Sequence, residues 1–147
     1  MNGHLCPLPW SSSANGNFTA SNVAPWTSMC SNYMMNNIEM QSDSITLLKQ
    51  LVSFRRRYLN AYSNYLFHYV NGGQIVIERF SNRFGANLPV RFVLFANLGQ
   101  TEKESDFSDK FQFGSIRLST NPKRIQDFLY LRSLKLEAGE AIITKIE

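Results

Sequence analysis

The spacing of hydrophobic residues changes along the chain. Residues 45–70 carry apolar side chains at helical spacing and contain no Gly or Pro, so they predict one long amphipathic helix. Asp43 and its two Ser neighbours offer N-cap candidates, and Asn71-Gly72-Gly73 would end the helix. After this point the period becomes two. It predicts strands at residues 74–80 and 90–98 that pair antiparallel.

The C-terminal pattern adds further strands. Residues 111–119 predict a third strand, and its phase slips at Gly114, which is typical of a β-bulge. Residues 123–131 fit a helix or a strand, but from Leu131 onward a hairpin ending at residues 141–146 is favoured. We therefore predict an α+β domain, with one long amphipathic helix packed on an antiparallel sheet of four to five strands.

The first 42 residues differ from the rest in composition. They contain no Lys or Arg and one acid, Glu39, but hold both Trp, both Cys and all five Met. Without periodicity and with several Pro and Gly, residues 1–42 predict an extended irregular arm before a compact domain at 43–147. Disordered segments are usually poor in aromatic residues. We therefore expect the arm to dock on its own domain or on a neighbouring subunit, with a free tail as the alternative.

The contact residues predicted in the arm are its large apolar side chains, which gain about 25 cal/mol per Å² of apolar surface buried. They are Trp10, Phe18, Trp26, Met29, Tyr33, Met34 and Met35. Two further candidates break the predicted helical pattern. Arg55 falls inside the apolar stripe and Phe67 on the polar face, as expected either at the edge of a core or at an interface with another chain.

The net charge of +4 and the pI near 9.2 permit an anionic partner without requiring one. Arginines interleaved with aromatic residues suit RNA or single-stranded nucleic acid, through phosphate pairing and base stacking. The candidates are Arg55, Arg56, Arg57, Arg79, Arg83 and Arg91. In a strand, neighbouring Arg and Phe lie on opposite faces. The same pairs therefore also fit an ordinary sheet with one face buried.

No catalytic motif stands out. The two histidines, His4 and His68, have no neighbours that would complete a nucleophile and base set. Phosphate-binding loops, nucleophile elbows and zinc spacings are absent from the sequence. The prediction is a chain that is not an enzyme, with no catalytic residues, metal or cofactor. It is also expected to be soluble, without a signal peptide or a membrane span.

Two covalent features stay open at this point. Cys6 and Cys30 could bridge each other in an oxidising compartment, or remain free thiols in a reducing one. Asn17-Phe18-Thr19 is formally an acceptor for an N-linked glycan, although one such tripeptide is expected by chance in a segment so rich in Asn.

The functional prediction combines these features. We predict a non-catalytic structural or interaction subunit of a larger macromolecular assembly, such as a virus particle or a ribonucleoprotein, whose arm contacts neighbouring protein subunits. The alternative is a module that binds RNA or single-stranded nucleic acid. A small enzyme without a recognisable motif is the second alternative.

Overall fold

The computed structural model of the 147-residue chain divides it into two compact units, Met1–Lys49 and Gln50–Glu147. It describes residues 5–59, 64–70, 72–81, 90–124 and 127–147. The boundary between the units lies inside the helix, a few residues after the predicted end of the arm at residue 42. Within the described ranges, every helix is too short or too polar to cross a membrane.

The N-terminal unit consists mainly of turns, with a short 3-10 helix at Ala14–Asn17. A disulfide joins Cys6 to Cys30, so the question that the sequence left open is answered in favour of a bridge. Because a unit of this composition has little core of its own, a covalent link between distant turns stabilises it chiefly by restricting the unfolded chain.

A close crossing of backbone inside this unit requires glycine at position 16. The Trp10 N–H donates to the Gly16 carbonyl at 2.7 Å, and Gly16 has a φ of +60°. A Cβ at this position would lie 2.7 Å from Met29 Cε and 3.0 Å from Pro9. The crossing therefore fixes the 3-10 turn against the rest of the unit.

Helix α1 covers Ser42–Tyr58. Asp43 lies in its first turn and Arg55, Arg56 and Arg57 in its last, an arrangement that complements the helix dipole at both ends. The helix begins three residues before the predicted stretch 45–70, so that the predicted cap candidates form its first turn, and it ends twelve residues before residue 70.

In the described part of the chain, eight strands form two antiparallel sheets. The strands are β1 Asn64–Val70, β2 Gln74–Ser81, β3 Val90–Asn97, β4 Lys103–Ser105, β5 Phe113–Ser119, β6 Phe128–Tyr130, β7 Leu134–Leu136 and β8 Ala141–Ile146. Six of them form one sheet in the order β1-β2-β3-β8-β5-β6, and β4 pairs with β7. Two 3-10 turns, at Pro122–Arg124 and Leu131–Ser133, lie between strands.

The predicted fold class is wrong, because the chain is mostly sheet rather than a long helix on four to five strands. Residues 64–70 form β1, the edge strand, and Phe67 pairs with Ile77 of β2. The turn between them contains Gly72 and Gly73, both with positive φ. Aromatic residues favour strands, and the helical spacing at 64–70 is compatible with period two as well. Pairing with β2 therefore makes residues 64–70 a strand and not a continuation of the helix.

One face of the six-stranded sheet carries the core. The buried cluster consists of Val76, Val93, Phe95, Phe107, Phe111, Ile116, Leu131, Leu134, Leu136 and Ile142. Phe107 lies in residues 99–110, which the charge pattern predicts to be a surface loop. Its ring centroid is 4.9 Å from that of Phe95, so this stretch supplies a buried anchor as well as strand β4.

The opposite face of the same sheet is covered in part by α1. The Phe54 and Tyr58 rings pack on Phe92 of β3, with centroid separations of 4.8 and 5.2 Å. Strand alternation sends Phe92 to this face and Val93 to the core. Strand β3 is therefore buried from both sides.

The C-terminal strands are present, but they pair differently from the predicted hairpin. Strand β7 pairs with β4, whereas β8 lies between β3 and β5. The irregularity in β5 lies between Ile116 and Leu118 rather than at Gly114. Gly114 has another role, because a Cβ there would lie 2.5 Å from the Lys145 carbonyl oxygen.

The β4–β7 sheet is reinforced by side-chain contacts at its surface. Ser133 donates a hydrogen bond to the Glu104 carboxylate, and Lys135 Nζ lies 3.4 Å from Glu104 Oε2. The Ser133 hydrogen bond first, and then the Lys135 charge, lower the pKa of Glu104 from its usual value.

Replacing Gly114 should destabilise the sheet. In Gly114→Ala the new methyl group meets the backbone of β8, so we expect a loss of about 2 kcal/mol in the free energy of unfolding. Urea denaturation measures this change. Ser115→Ala on the same strand is the matched control and should stay within about 0.5 kcal/mol of the parent. Equal stabilities for the two variants would show that β5 and β8 are not in this close contact.

Removing the Ser133 hydroxyl should raise the pKa of Glu104 toward its usual value. Since the folded-state pKa is the lower one, the stabilisation from this contact is present above the unfolded pKa and disappears as pH falls through the folded pKa. An NMR titration of the Glu104 carboxyl carbon in Ser133→Ala measures the change. Ser108→Ala, which removes a bond to Asp106 instead, should leave Glu104 unchanged. An unaltered Glu104 titration in Ser133→Ala would contradict the assignment.

Candidate functional site

A buried carboxylate joins the first three strands of the sheet. Glu78 is 5% exposed. Arg91 Nε donates to its Oε1 at 2.8 Å, and His68 Nε2 lies 3.2 Å from its Oε2. The Arg91 guanidinium also lies 5.5 Å from the centre of the Phe111 ring. Both carboxylate oxygens are thus occupied by groups on neighbouring strands, an arrangement suited to fixing β1, β2 and β3.

A second buried carboxylate holds the turn before β8. Arg124 donates to both oxygens of Glu140, at 2.9 and 3.0 Å, and to the Lys135 carbonyl at 2.9 Å. The Glu137 N–H donates to Glu140 Oε2 at 2.9 Å. This network satisfies the Glu140 carboxylate and connects the 3-10 turn at Pro122–Arg124 to the turn before β8.

The acidic residues of the 99–110 stretch do not converge on a metal site. Among the described residues, no group of three or more His, Cys, Asp or Glu side chains could hold a metal ion. Glu104 is engaged by Ser133 and Lys135. Hydrogen bonds from Ser108 lower the pKa of Asp106. His4 lies outside the described residues, and His68 belongs to the Glu78 cluster.

The N-terminal unit leaves most of its predicted contact residues exposed. Trp26 is 80% exposed and Met35 79%. The others range from half-buried to exposed: Trp10, Phe18 and Met34 are exposed, whereas Met29 and Tyr33 are half-buried. Other exposed apolar residues of this unit are Leu5, Leu8, Val23, Met40 and Leu48.

Helix α1 also exposes apolar side chains. Leu48, Leu51 and Val52 are exposed at helical spacing, whereas Phe54 and Tyr58 form the side packed on β3. Arg55 is exposed one helical turn after Leu51, and its predicted contact with another chain stays a prediction.

Phe67 lies on β1 and not on the helix. Register places it on the same side of the sheet as Tyr65 and Phe92. It is 57% exposed, because β1 is an edge strand and α1 covers the sheet at β3. The prediction that Phe67 contacts a partner stays a prediction, and it now concerns an edge strand instead of a helix.

The six candidate arginines are dispersed. Arg55, Arg56 and Arg57 are exposed at the end of α1. Arg79 lies on β2 beside the Tyr65 ring, Arg91 is paired with Glu78 on the core side, and Arg83 lies outside the described residues. Strand register puts Arg79 and Arg91 on opposite faces of the sheet. Only the three helix arginines form a contiguous basic group among those described.

The far edge of the sheet carries an aromatic group that the sequence analysis missed. Phe128 and Tyr130 of β6 are exposed and their rings contact each other. The Phe128 ring also contacts that of Phe113 in β5. The available signal was the alternation Phe128-Leu129-Tyr130. It was obscured because residues 123–131 fit a helix equally well.

Comparison with known proteins gives a likeness of fold. No family model and no curated protein sequence matches the chain. Among solved structures, isomaltulose synthase PalI from Klebsiella sp. LX3 is similar over 97% of this chain, at 17% identity and a TM-score of 0.73. Isomaltulose synthase SmuA from Protaminobacter rubrum is similar over 97% of this chain, at 19% identity and a TM-score of 0.76. A trehalulose synthase MutB variant is similar over 95% of this chain, at 16% identity and a TM-score of 0.74.

These similarities concern a part of each enzyme. The chain spans about a quarter of the length of each of these synthases, since 25% of their residues are matched. At identities below one in five, the likeness establishes the fold and not the activity. The structural neighbours are enzymes, and this chain has the fold of one fragment of them.

Proposed function

We propose that this chain is a non-catalytic interaction module that packs against a larger folded protein body through its N-terminal unit and helix α1. The observation that carries the proposal is the exposed apolar surface of the N-terminal unit, with Trp26 and Met35 as its most exposed large anchors. Aromatic and Met side chains are enriched in interface cores, and Trp is enriched among energetic hot spots.

The comparisons support a protein partner of substantial size. In the synthases, a body of this fold belongs to a chain about four times as long, and the matched part includes nearly all of the present chain. The occupant we propose is therefore a folded body like the remaining three quarters of such an enzyme, whether it is a separate subunit or part of the same polypeptide. The earlier expectation of a virus particle or ribonucleoprotein has no support from these comparisons.

The side-chain chemistry favours an interaction role over catalysis. Glu78 and Glu140, the buried carboxylates among the described residues, are both satisfied by arginines. Such pairs hold strands and turns in position. A catalytic carboxylate would instead be directed at a cleft where substrate binds.

Side-chain footprinting tests where the partner binds. We expect hydroxyl-radical oxidation of Trp26 and Met35 to be fast in the isolated chain and strongly reduced in the particle purified from the native source, because an interface core excludes water. Tyr130, 74% exposed at the far edge of the sheet, is the internal control and should react equally in both samples.

A matched pair of variants tests the same contact through the free energy of association. With the partner body as a separate subunit, Trp26→Ala should weaken its association with this chain by about 2 kcal/mol, roughly 30-fold in Kd, whereas Tyr130→Ala should leave the Kd unchanged. Native mass spectrometry on dilution measures both. If the native particle weighs no more than this chain alone, or if Trp26 stays fully reactive in it, the proposed role is wrong.

Binding of RNA or single-stranded nucleic acid is a second candidate function, favoured by the exposed Arg55, Arg56 and Arg57 at the end of α1. The same residues are also explained by the helix dipole, which favours basic side chains in the last turn. Arg91 argues against a broad basic surface, because Glu78 neutralises its charge.

Salt dependence distinguishes this second candidate. If the three arginines contact phosphates, replacing all of them with Ala should reduce the slope of log affinity against log salt for a single-stranded RNA by about 2. Arg132→Ala, at an exposed position distant in sequence, is the control and should leave the slope unchanged. An identical slope in the triple variant would exclude phosphate binding by this group.

A further inference from the structure

The chain contains one Asn-X-Ser/Thr tripeptide, Asn17-Phe18-Thr19. The sequence alone gave this little weight, since Asn is frequent in the first 42 residues. The structure adds three observations that concern the compartment of the protein, the accessibility of Asn17 and the local backbone.

The compartment follows from the disulfide between Cys6 and Cys30. Disulfides of this structural kind form and persist in oxidising environments such as the lumen of the secretory pathway, and are rare where glutathione keeps thiols reduced. That lumen is also where Asn-linked oligosaccharides are attached. The bridge and the acceptor tripeptide lie in the same N-terminal unit.

Accessibility follows from the turn that carries Asn17. It is the last residue of the 3-10 helix at Ala14–Asn17, with a φ of 56°. Gly16, its neighbour, is buried against Pro9 and Met29, whereas Asn17 is exposed. The side chain that would carry the sugar therefore lies at the surface of the unit.

The segment after Asn17 is braced by its own side chains. Asn15 Nδ2 donates to the Ala20 and Val23 carbonyls at 3.2 and 3.0 Å, and Thr19 Oγ1 donates to the Val23 carbonyl at 2.6 Å. These bonds hold the loop at residues 18–23, which follows Asn17, in one conformation. A glycan on Asn17 would extend from a fixed turn and displace none of these contacts.

We propose that Asn17 carries an N-linked glycan. In the transfer, Asn17 Nδ2 forms a bond to the anomeric carbon of the first sugar of a lipid-diphosphate-linked oligosaccharide. The bond between that carbon and the diphosphate oxygen breaks, the lipid diphosphate leaves, and the amide nitrogen loses one proton to a base of the transferase. The proposal depends on the disulfide, the tripeptide and the exposure of Asn17, and it is independent of the proposed interaction role.

The modification would also restrict the docking surface. A branched oligosaccharide is bulky and strongly hydrated, so the surface around Asn17, including the exposed Phe18, would stay in water. Contacts of the N-terminal unit with a protein partner would then involve Trp26 and Met35 and leave Phe18 out, although the sequence analysis grouped it with them.

Mass spectrometry of the protein from its native source tests the proposal. Peptide N-glycosidase F in ¹⁸O-water removes the glycan and converts the modified Asn to ¹⁸O-labelled Asp. We expect the label at Asn17 and a loss of mass from the intact chain. Asn22 and Asn32, which are exposed in the same unit but lie outside such a tripeptide, are the internal controls.

Variants made in a eukaryotic secretory host separate recognition from folding. Asn17→Gln and Thr19→Ala should each abolish the glycan, whereas Thr19→Ser, which keeps the hydroxyl, should retain it. The Cys6–Cys30 bridge, read by mass before and after reduction, shows that each variant folds. An unmodified Asn17 in the native protein, or free Cys6 and Cys30 thiols there, would overturn the proposal.

Discussion

The packing of strand β3 on both of its faces is the contact on which the rest of the C-terminal unit depends. Val93 and Phe95 face the core, where Phe107 and Phe111 come from the chain between β3 and β5. Phe92 faces the other way and meets α1. Burial of large apolar side chains is the main stabilising contribution in folding. Strands β2 and β8 are held in register on either side of β3. The buried Glu78 connects β1 to them through His68.

The surfaces left over from this core suggest the function. The N-terminal unit is closed by a disulfide and backbone hydrogen bonds, yet its aromatic and Met side chains remain largely exposed. A unit held together covalently can present apolar groups without a large core of its own. The likeness to a quarter of each of several synthases concerns the fold alone, so the proposed partner rests on these exposed side chains.

Part of the fold could be predicted from the sequence. The period of two in residues 74–80 and 90–98 correctly identified β2 and β3, and the N-terminus of α1 followed from its polar cap region. The length of the helix could not be obtained this way, because Tyr65 and Tyr69 satisfy helical and strand spacing alike. The choice between them depends on pairing with β2, a contact that local pattern does not contain. The burial of Phe107 and the pairing of β7 with β4 are also products of tertiary packing.

For the site, composition identified the exposed N-terminal residues, whereas Phe128 and Tyr130 were missed because residues 123–131 fit a helix and a strand equally well.

The central proposal is that the sheet, with α1 packed on β3, holds its structure in the isolated chain, whereas the exposed apolar sides of the N-terminal unit and α1 are buried on another protein body. Amide hydrogen exchange of the isolated chain and of the native particle tests this claim most directly. The account predicts that β3 and β8 amides exchange slowly in both samples, and that amides of α1 and the N-terminal unit become markedly slower only in the particle. Equal protection of α1 and the N-terminal unit in the two samples would contradict it.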